Sequence, residues 1–123
     1  MNTMQVARKL VELDGQGKND EAFETLYADD IVSVEAFVAP DGSHEARGKA
    51  ALKAKHAWWA GAHEVHSVSV TGPWPHGDRF VLGFRIDVTV KETGVRMQMD
   101  EVGLYTVKDG RIVREEFFYE ADG

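Results

Sequence analysis

The chain has 123 residues, enough for one ordinary domain that buries a core without metal or disulfide support, and it contains no cysteine, which removes thiol nucleophiles, thiolate zinc sites and disulfides together. With 14 basic against 21 acidic residues, the net charge is −7 and no basic block occurs, which disfavours nucleic acid and anionic membranes as partners and favours a small neutral or cationic ligand or another protein. No signal-peptide pattern opens the sequence and no run approaches the ~20 apolar residues of a membrane span, so a cytoplasmic location is expected.

In chain order, Val6, Leu10 and Leu13 recur at helical spacing over Thr3 to Leu13, with Thr3 as cap and "DGQG" as stop, which predicts a first helix. Asn19 and Asp20 are cap candidates for a second, in which Phe23, Leu26 and Tyr27 fall on one face before it ends at "ADD". A strand is expected over about Ile31 to Val38, then a loop over "APDGSHEARG" and a third helix over "KAALKAKHAWWAGA". From His66 the chain reads as strand throughout: "HSVSVTG", "RFVLGFRIDVTV", "VRMQMDEVGLYTV" and "RIVREEFFYE", the last three joined by the short Gly-containing links "KETG" and "KDG". Helices first and a meander last predict an α+β domain spanning 1–123, its helices packed on one face of a curved antiparallel sheet. Phe80, Leu82, Phe84, Ile86, Val88 and Val90 share one strand face. A twisted sheet of such length wraps its helices as a cone that side chains fill only in part, a place for a small molecule.

The order of elements, "LYADD" closing the second helix, "GKAAL" opening the third and "VGLYTVKDGRIVREEFFYE" at the end resemble the SnoaL-like branch of the nuclear-transport-factor-two-like, cystatin-type α+β superfamily over nearly the whole chain. That superfamily includes ketosteroid isomerase, polyketide cyclases and dehydratases beside non-catalytic binding and assembly domains, so the resemblance implies a fold and leaves the reaction open. It implies a proton-abstracting carboxylate on the first strand at Glu35, a late-strand acid at Asp100, and His56 where a supporting tyrosine stands in ketosteroid isomerase. An apolar cone raises a carboxylate's pKa by desolvation and so suits it to general-base work. Helix one lacks the tyrosine that stabilises the enolate in that enzyme, which argues against steroid isomerisation. Strand parity opposes the Glu35 role. Val32, Val34, Ala36 and Val38 form the more apolar set, which would leave Glu35 at the surface unless a bulge intervenes, and Ala36 is the alternative matching position.

Two further stretches carry candidates. His56 lies on the helix-three stripe with Leu52, Trp59 and His63, as a core histidine or an acid-base group. In "REEFFYE", Val113, Glu115, Phe117 and Tyr119 share a parity that lines the cone in the related folds, which makes Glu115 a second candidate base and the Tyr119 phenol a donor. Tyr27, Trp59, Phe84, Met99 and Phe117 are the expected ligand-lining residues, Met99 as the adaptable wall. "HEVH" lacks metal-site spacing, and there is no phosphate-binding glycine loop, so neither metal nor cofactor is implied. The expected function is cofactor-free isomerase, cyclase or dehydratase chemistry on a hydrophobic cyclic carbonyl compound, with a non-catalytic ligand-binding or dimerisation domain as the alternative. A homodimer is expected through the outer sheet face, where Arg85, Asp87 and Thr89 alternate with the buried set.

Overall fold

The computed structural model describes residues 1–38 and 42–120. Helix α1 (Thr3–Gly15) is capped by Asn2 rather than by Thr3. The Asn2 side chain accepts from the Gln5 amide at 2.9 Å, and the Gln5 side chain accepts from the Asn2 amide at 2.9 Å, so two end donors are satisfied reciprocally. Its buried face carries Val6, Ala7, Leu10 and Leu13, and also Asp14. Helix α2 (Asn19–Leu26) buries Ala22, Phe23 and Leu26.

Strand β1 (Tyr27–Val34) starts and ends four residues earlier than the sequence suggests, so Tyr27 opens the strand and Glu35 lies just past its end. Within the expected loop a short strand β2 (Glu45–Arg47) pairs antiparallel with β1. The loop's first residues, 39–41, lie outside the described residues. Helix α3 (Lys49–Ala62) matches its predicted span. Gly48, at φ 87°, donates its amide to the Ile31 carbonyl at 2.7 Å and so fixes the start of α3 to β1. Strands β3 (His63–His76), β4 (Arg79–Val90), β5 (Val95–Lys108) and β6 (Arg111–Phe118) complete the chain, β3 running past the predicted "TG" through Pro73 and Pro75.

The six strands lie in the order β2-β1-β6-β5-β4-β3. All neighbours are antiparallel except β1 and β6, which pair in parallel with Ser33 opposite Glu115. Helix α1 packs on β3, β4 and β5 and helix α3 on β1, β2 and β3, so one sheet face encloses the helices. Tyr27, Ile31, Phe80, Leu82, Val88, Tyr105, Val107 and Ile112 face inward and are buried. On β6 an irregularity between Thr106 and Val107 of the partner strand makes Ile112, not Val113, the core residue, and restores Glu115 and Phe117 to the inner face. The opposite face carries two exposed ion pairs, Arg85–Asp100 at 3.0 Å and Arg96–Asp87 at 2.8 Å, beside exposed Val102, Phe118 and Trp74. Among the described residues no helix is long and apolar enough to cross a membrane.

Candidate functional site

Glu115 is fully enclosed on the inner face. A bare carboxylate there would lose several kcal/mol of hydration, so each oxygen needs a donor. The Tyr27 hydroxyl donates to Oε2 at 2.6 Å and the Ser33 hydroxyl to Oε1 at 2.9 Å. Both come from β1, and the parallel register of Ser33 with Glu115 is what sets them. Lys55 of α3 donates to Ser33 Oγ at 2.8 Å, so the ammonium polarises the serine proton toward Glu115. The same ammonium forms an ion pair with Glu35 Oε1, and the Tyr119 hydroxyl donates to Glu35 Oε2 at 2.8 Å. One network therefore runs from Tyr27 through Glu115, Ser33, Lys55 and Glu35 to Tyr119. Lys55 also sits 5.7 Å from the centre of the Phe117 ring.

Glu35 faces inward with Ile31 and Ser33, against the parity expectation. The pairing of β1 with β6 slips between Tyr27 and Val32, and the set chosen for burial is the one that supplies Glu115 with its donors. Glu35 and Lys55 line a cavity of about 180 Å³ with Phe37, Ser43, His44, Glu45 and Ala46, and their side chains keep 14% and 22% of their exposure.

Two more carboxylates join the field. Glu101 projects inward on β5, opposite Phe84, half-buried; burial first, then Glu35 and Glu115, raise its pKa to about 7, against the pull of Lys55. Asp14, at the end of α1, is raised to about 7 by burial and by Glu115. Burial raises Glu115 itself, while its bonds to Tyr27 and Ser33 and the charge of Lys55 oppose that rise. The phenols of Tyr27 and Tyr105 are pushed well above their ordinary range by burial and by Glu115. Four carboxylates thus share one cation among the described residues, and the protein responds by holding protons on some of them.

Of the expected site residues, the structure brings Tyr27, Glu35, Glu115, Phe117 and Tyr119 together, with Phe84 and Met99 on the same inner wall. It does not bring Asp100 there. That residue points outward, 64% exposed and paired with Arg85, because inward positions on β5 are the odd-numbered ones. Its neighbour Glu101 holds the inner position. His56 is also outside the network: its ring meets Phe23 edge-on at 5.5 Å, and burial with the adjacent Lys55 lowers its pKa. Trp59 stacks on His63 at 4.4 Å at the far end of α3, and His66 bonds Thr89 at 2.7 Å. The sequence reading missed Ser33, Lys55, Glu101 and Asp14. Lys55 had a signal, since it lies three residues after the buried Leu52 and so on the same helix face.

The sequence profile of a family described as "SnoaL-like domain" matches residues 1–119. No curated protein sequence matches the chain. A solved structure from Mesorhizobium loti, described both as a candidate SnoaL-like polyketide cyclase and as a carbohydrate phosphatase, is 50% identical with a TM-score of 0.91, over 97% of this chain and all (100%) of that one. A Xanthomonas campestris protein with a cystatin-like fold shares 17% identity at a TM-score of 0.77, over 96% of this chain and 90% of that one. A nuclear-transport-factor-two-like protein from Burkholderia pseudomallei shares 20% identity at a TM-score of 0.73, over 98% of this chain and 92% of that one. The last two show the likeness of fold alone.

The raised carboxyls make stability fall as pH rises. Asp14 and Glu101 start from 3.8 and 4.5 and are lifted to about 7, so between those values the folded chain holds protons that the unfolded chain has released. Their contribution is complete below the unfolded values and is lost as pH rises through about 7. Calorimetry across this interval is expected to show a higher Tm at about pH 5 than at about pH 8, and a smaller difference in Asp14→Asn. A Tm that climbs over the same interval would contradict the assignment.

Proposed function

The chain belongs to the SnoaL-like family, and from that membership and the buried Glu115 network we propose that it binds a small hydrophobic or cyclic carbonyl compound and catalyses proton transfer on it, as an isomerase, cyclase or dehydratase. The observation that carries this reading is the pair of inward carboxylates, Glu35 and Glu101, placed over a third, Glu115, that is already satisfied. Glu35 is the base. Its Lys55 contact gives way to the ligand, and its carboxylate takes the proton next to the carbonyl while the electron pair moves onto the carbonyl oxygen. Glu101 in its acid form donates a hydrogen bond to that oxygen, and Glu35 returns the proton to a different carbon, which completes an isomerisation. The late-strand acid of the family pattern is thus supplied by Glu101 in place of Asp100.

A second reading has its own support. The Lys55 ion pair and the Tyr119 hydrogen bond occupy both oxygens of Glu35, as suits a non-catalytic ligand-binding or dimerisation domain. Exchange in heavy water separates the two. Incubated with 1-tetralone or 2-cyclohexenone, the protein is expected to speed loss of the hydrogens beside the carbonyl, followed by NMR. Glu35→Gln should slow this by about 10²-fold or more. Glu101→Gln keeps a donor but cannot titrate, so it should flatten the fall in rate as pH rises past about 7. Ketones that raise the Tm without any exchange above buffer would leave the binding reading in place.

The assembly proposed is a homodimer through the outer sheet face. Arg85 and Asp100 stand directly opposite each other on β4 and β5 beside exposed Val102 and Phe118, so a two-fold contact exchanges their ion pairs and covers the apolar side chains. A concavity of about 590 Å³ runs along this face over Gly83. Sedimentation at micromolar concentration is expected to give a dimer that Arg85→Glu weakens; a wild-type monomer would end the proposal.

A further inference from the structure

The ion pair between Glu35 and Lys55 is held at both ends by other groups. Glu35 keeps the Tyr119 hydroxyl on Oε2 at 2.8 Å. Its main chain is fixed by His44, whose carbonyl accepts the Glu35 amide at 2.9 Å and whose ring Nδ1 lies 3.2 Å from the Glu35 carbonyl oxygen. Lys55 keeps its hydrogen bond to Ser33 Oγ at 2.8 Å and lies 5.7 Å from the centre of the Phe117 ring. Opening the pair therefore frees Oε1 of Glu35 and one N–H of Lys55 while both side chains stay anchored. The opening leads into space, because both residues line the cavity of about 180 Å³ that Phe37, His44 and Ala46 also wall. Pockets for drug-sized ligands run from roughly 300 to 1,000 Å³, so this one has room for a single small ring.

We infer that the ligand is a small one-ring or short-chain ketone that enters this cavity between the two charges, its carbonyl oxygen taking the place of Glu35 Oε1 on Lys55 Nζ and its α-hydrogen turned to the freed Oε1. This inference rests on the proton-transfer reading for its chemistry and gives Lys55, which that reading only displaces, a contact with the ligand. The α-carbon–hydrogen bond breaks and the proton joins Glu35 Oε1, while the electron pair forms a carbon–carbon double bond and the carbonyl π pair moves onto oxygen. Negative charge thus leaves Glu35 and arrives on the ligand oxygen, and the Lys55 ammonium faces it before and after without reorganising. The Glu35 and Lys55 side chains keep only 14% and 22% of their exposure, so this attraction is less screened than that of a surface pair.

The test uses cyclohexanone, carbon-13 labelled at the carbonyl, with wild type, Lys55→Met and Ala46→Leu. Isotope-edited infrared spectra are expected to show the bound carbonyl stretch lowered in wild type and returned toward its value in apolar solvent in Lys55→Met. Exchange of the hydrogens beside the carbonyl in heavy water should slow about 10²-fold in Lys55→Met. In the wild type itself, the nitrogen-15 signal of Lys55 Nζ should move along the same binding curve as the ketone carbon, a readout that stands even if the Lys55 variant does not fold. Ala46→Leu, which extends a side chain of the cavity wall, should bind the ketone about tenfold more weakly or worse. The inference is overturned if wild type fails to bind the ketone, if the Lys55 signal stays still while the ketone binds, if folded Lys55→Met keeps the lowered stretch, or if Ala46→Leu binds as wild type does. Contact and chemistry fail separately. A ketone seated on Lys55 that exchanges no faster than in buffer would remove the proton-transfer reading and leave the contact standing, whereas exchange in a wild type whose Lys55 signal does not move would remove the contact and leave proton transfer.

Discussion

A carboxylate with no access to water must be met by donors on both oxygens, and much of the inner architecture here follows from that demand at Glu115. Its two donors, Tyr27 and Ser33, lie at opposite ends of β1, so satisfying the carboxylate fixes β1 beside β6 in the sheet's one parallel pairing. Lys55 extends the same constraint to α3, whose start is held to β1 by the Gly48 amide. A burial that costs free energy on its own thus ties three elements into one register. Removing a single partner would be costly for the same reason, since it would leave a buried charge or hydroxyl unmatched.

The electrostatics of the cone follow from how few cations it holds. With Lys55 shared between Ser33 and Glu35, burial first and then the neighbouring carboxylates, Glu115 for Asp14 and Glu35 with Glu115 for Glu101, lift each of these two carboxyls to about 7. Two of these acids have distinct roles. At the end of α1 the proton on Asp14 relieves repulsion with Glu115; on the inner face of β5, opposite Phe84, the proton on Glu101 relieves repulsion with Glu35 and Glu115. A neutral carbonyl compound suits this field better than an anion, since an anion would meet three or more carboxylates.

Much of this fold was legible because its signals are local. Helix α3 and strand β4 have the predicted spans, and the "KETG" and "KDG" links are the turns that order β4, β5 and β6. The site was harder to read because side-chain direction depends on register. Asp100 and Glu101 differ by one residue and point to opposite faces, and the choice is settled by Val90 pairing with Val95 across "KETG", which carried back along the strands puts Glu101 opposite Phe84. Glu35 was misjudged by parity because burial on β1 is decided by the needs of Glu115 and not by hydrophobicity: Ser33 is fully buried while Val32 and Val34 are only half-buried. Lys55 reads as an ordinary helix former, and its spacing from Leu52 is the sequence sign of the helix face on which it meets Ser33 and Glu35.

Glu115 is an enclosed carboxyl at the centre of a coupled set of acids, and a carbon-13 NMR titration of the side-chain carboxyls tests this. The expected result is a Glu115 midpoint above the ordinary glutamate value, with Asp14 and Glu101 titrating at about 7 and their curves displaced in Glu115→Gln. Midpoints for all three in the ordinary carboxylate range would contradict it.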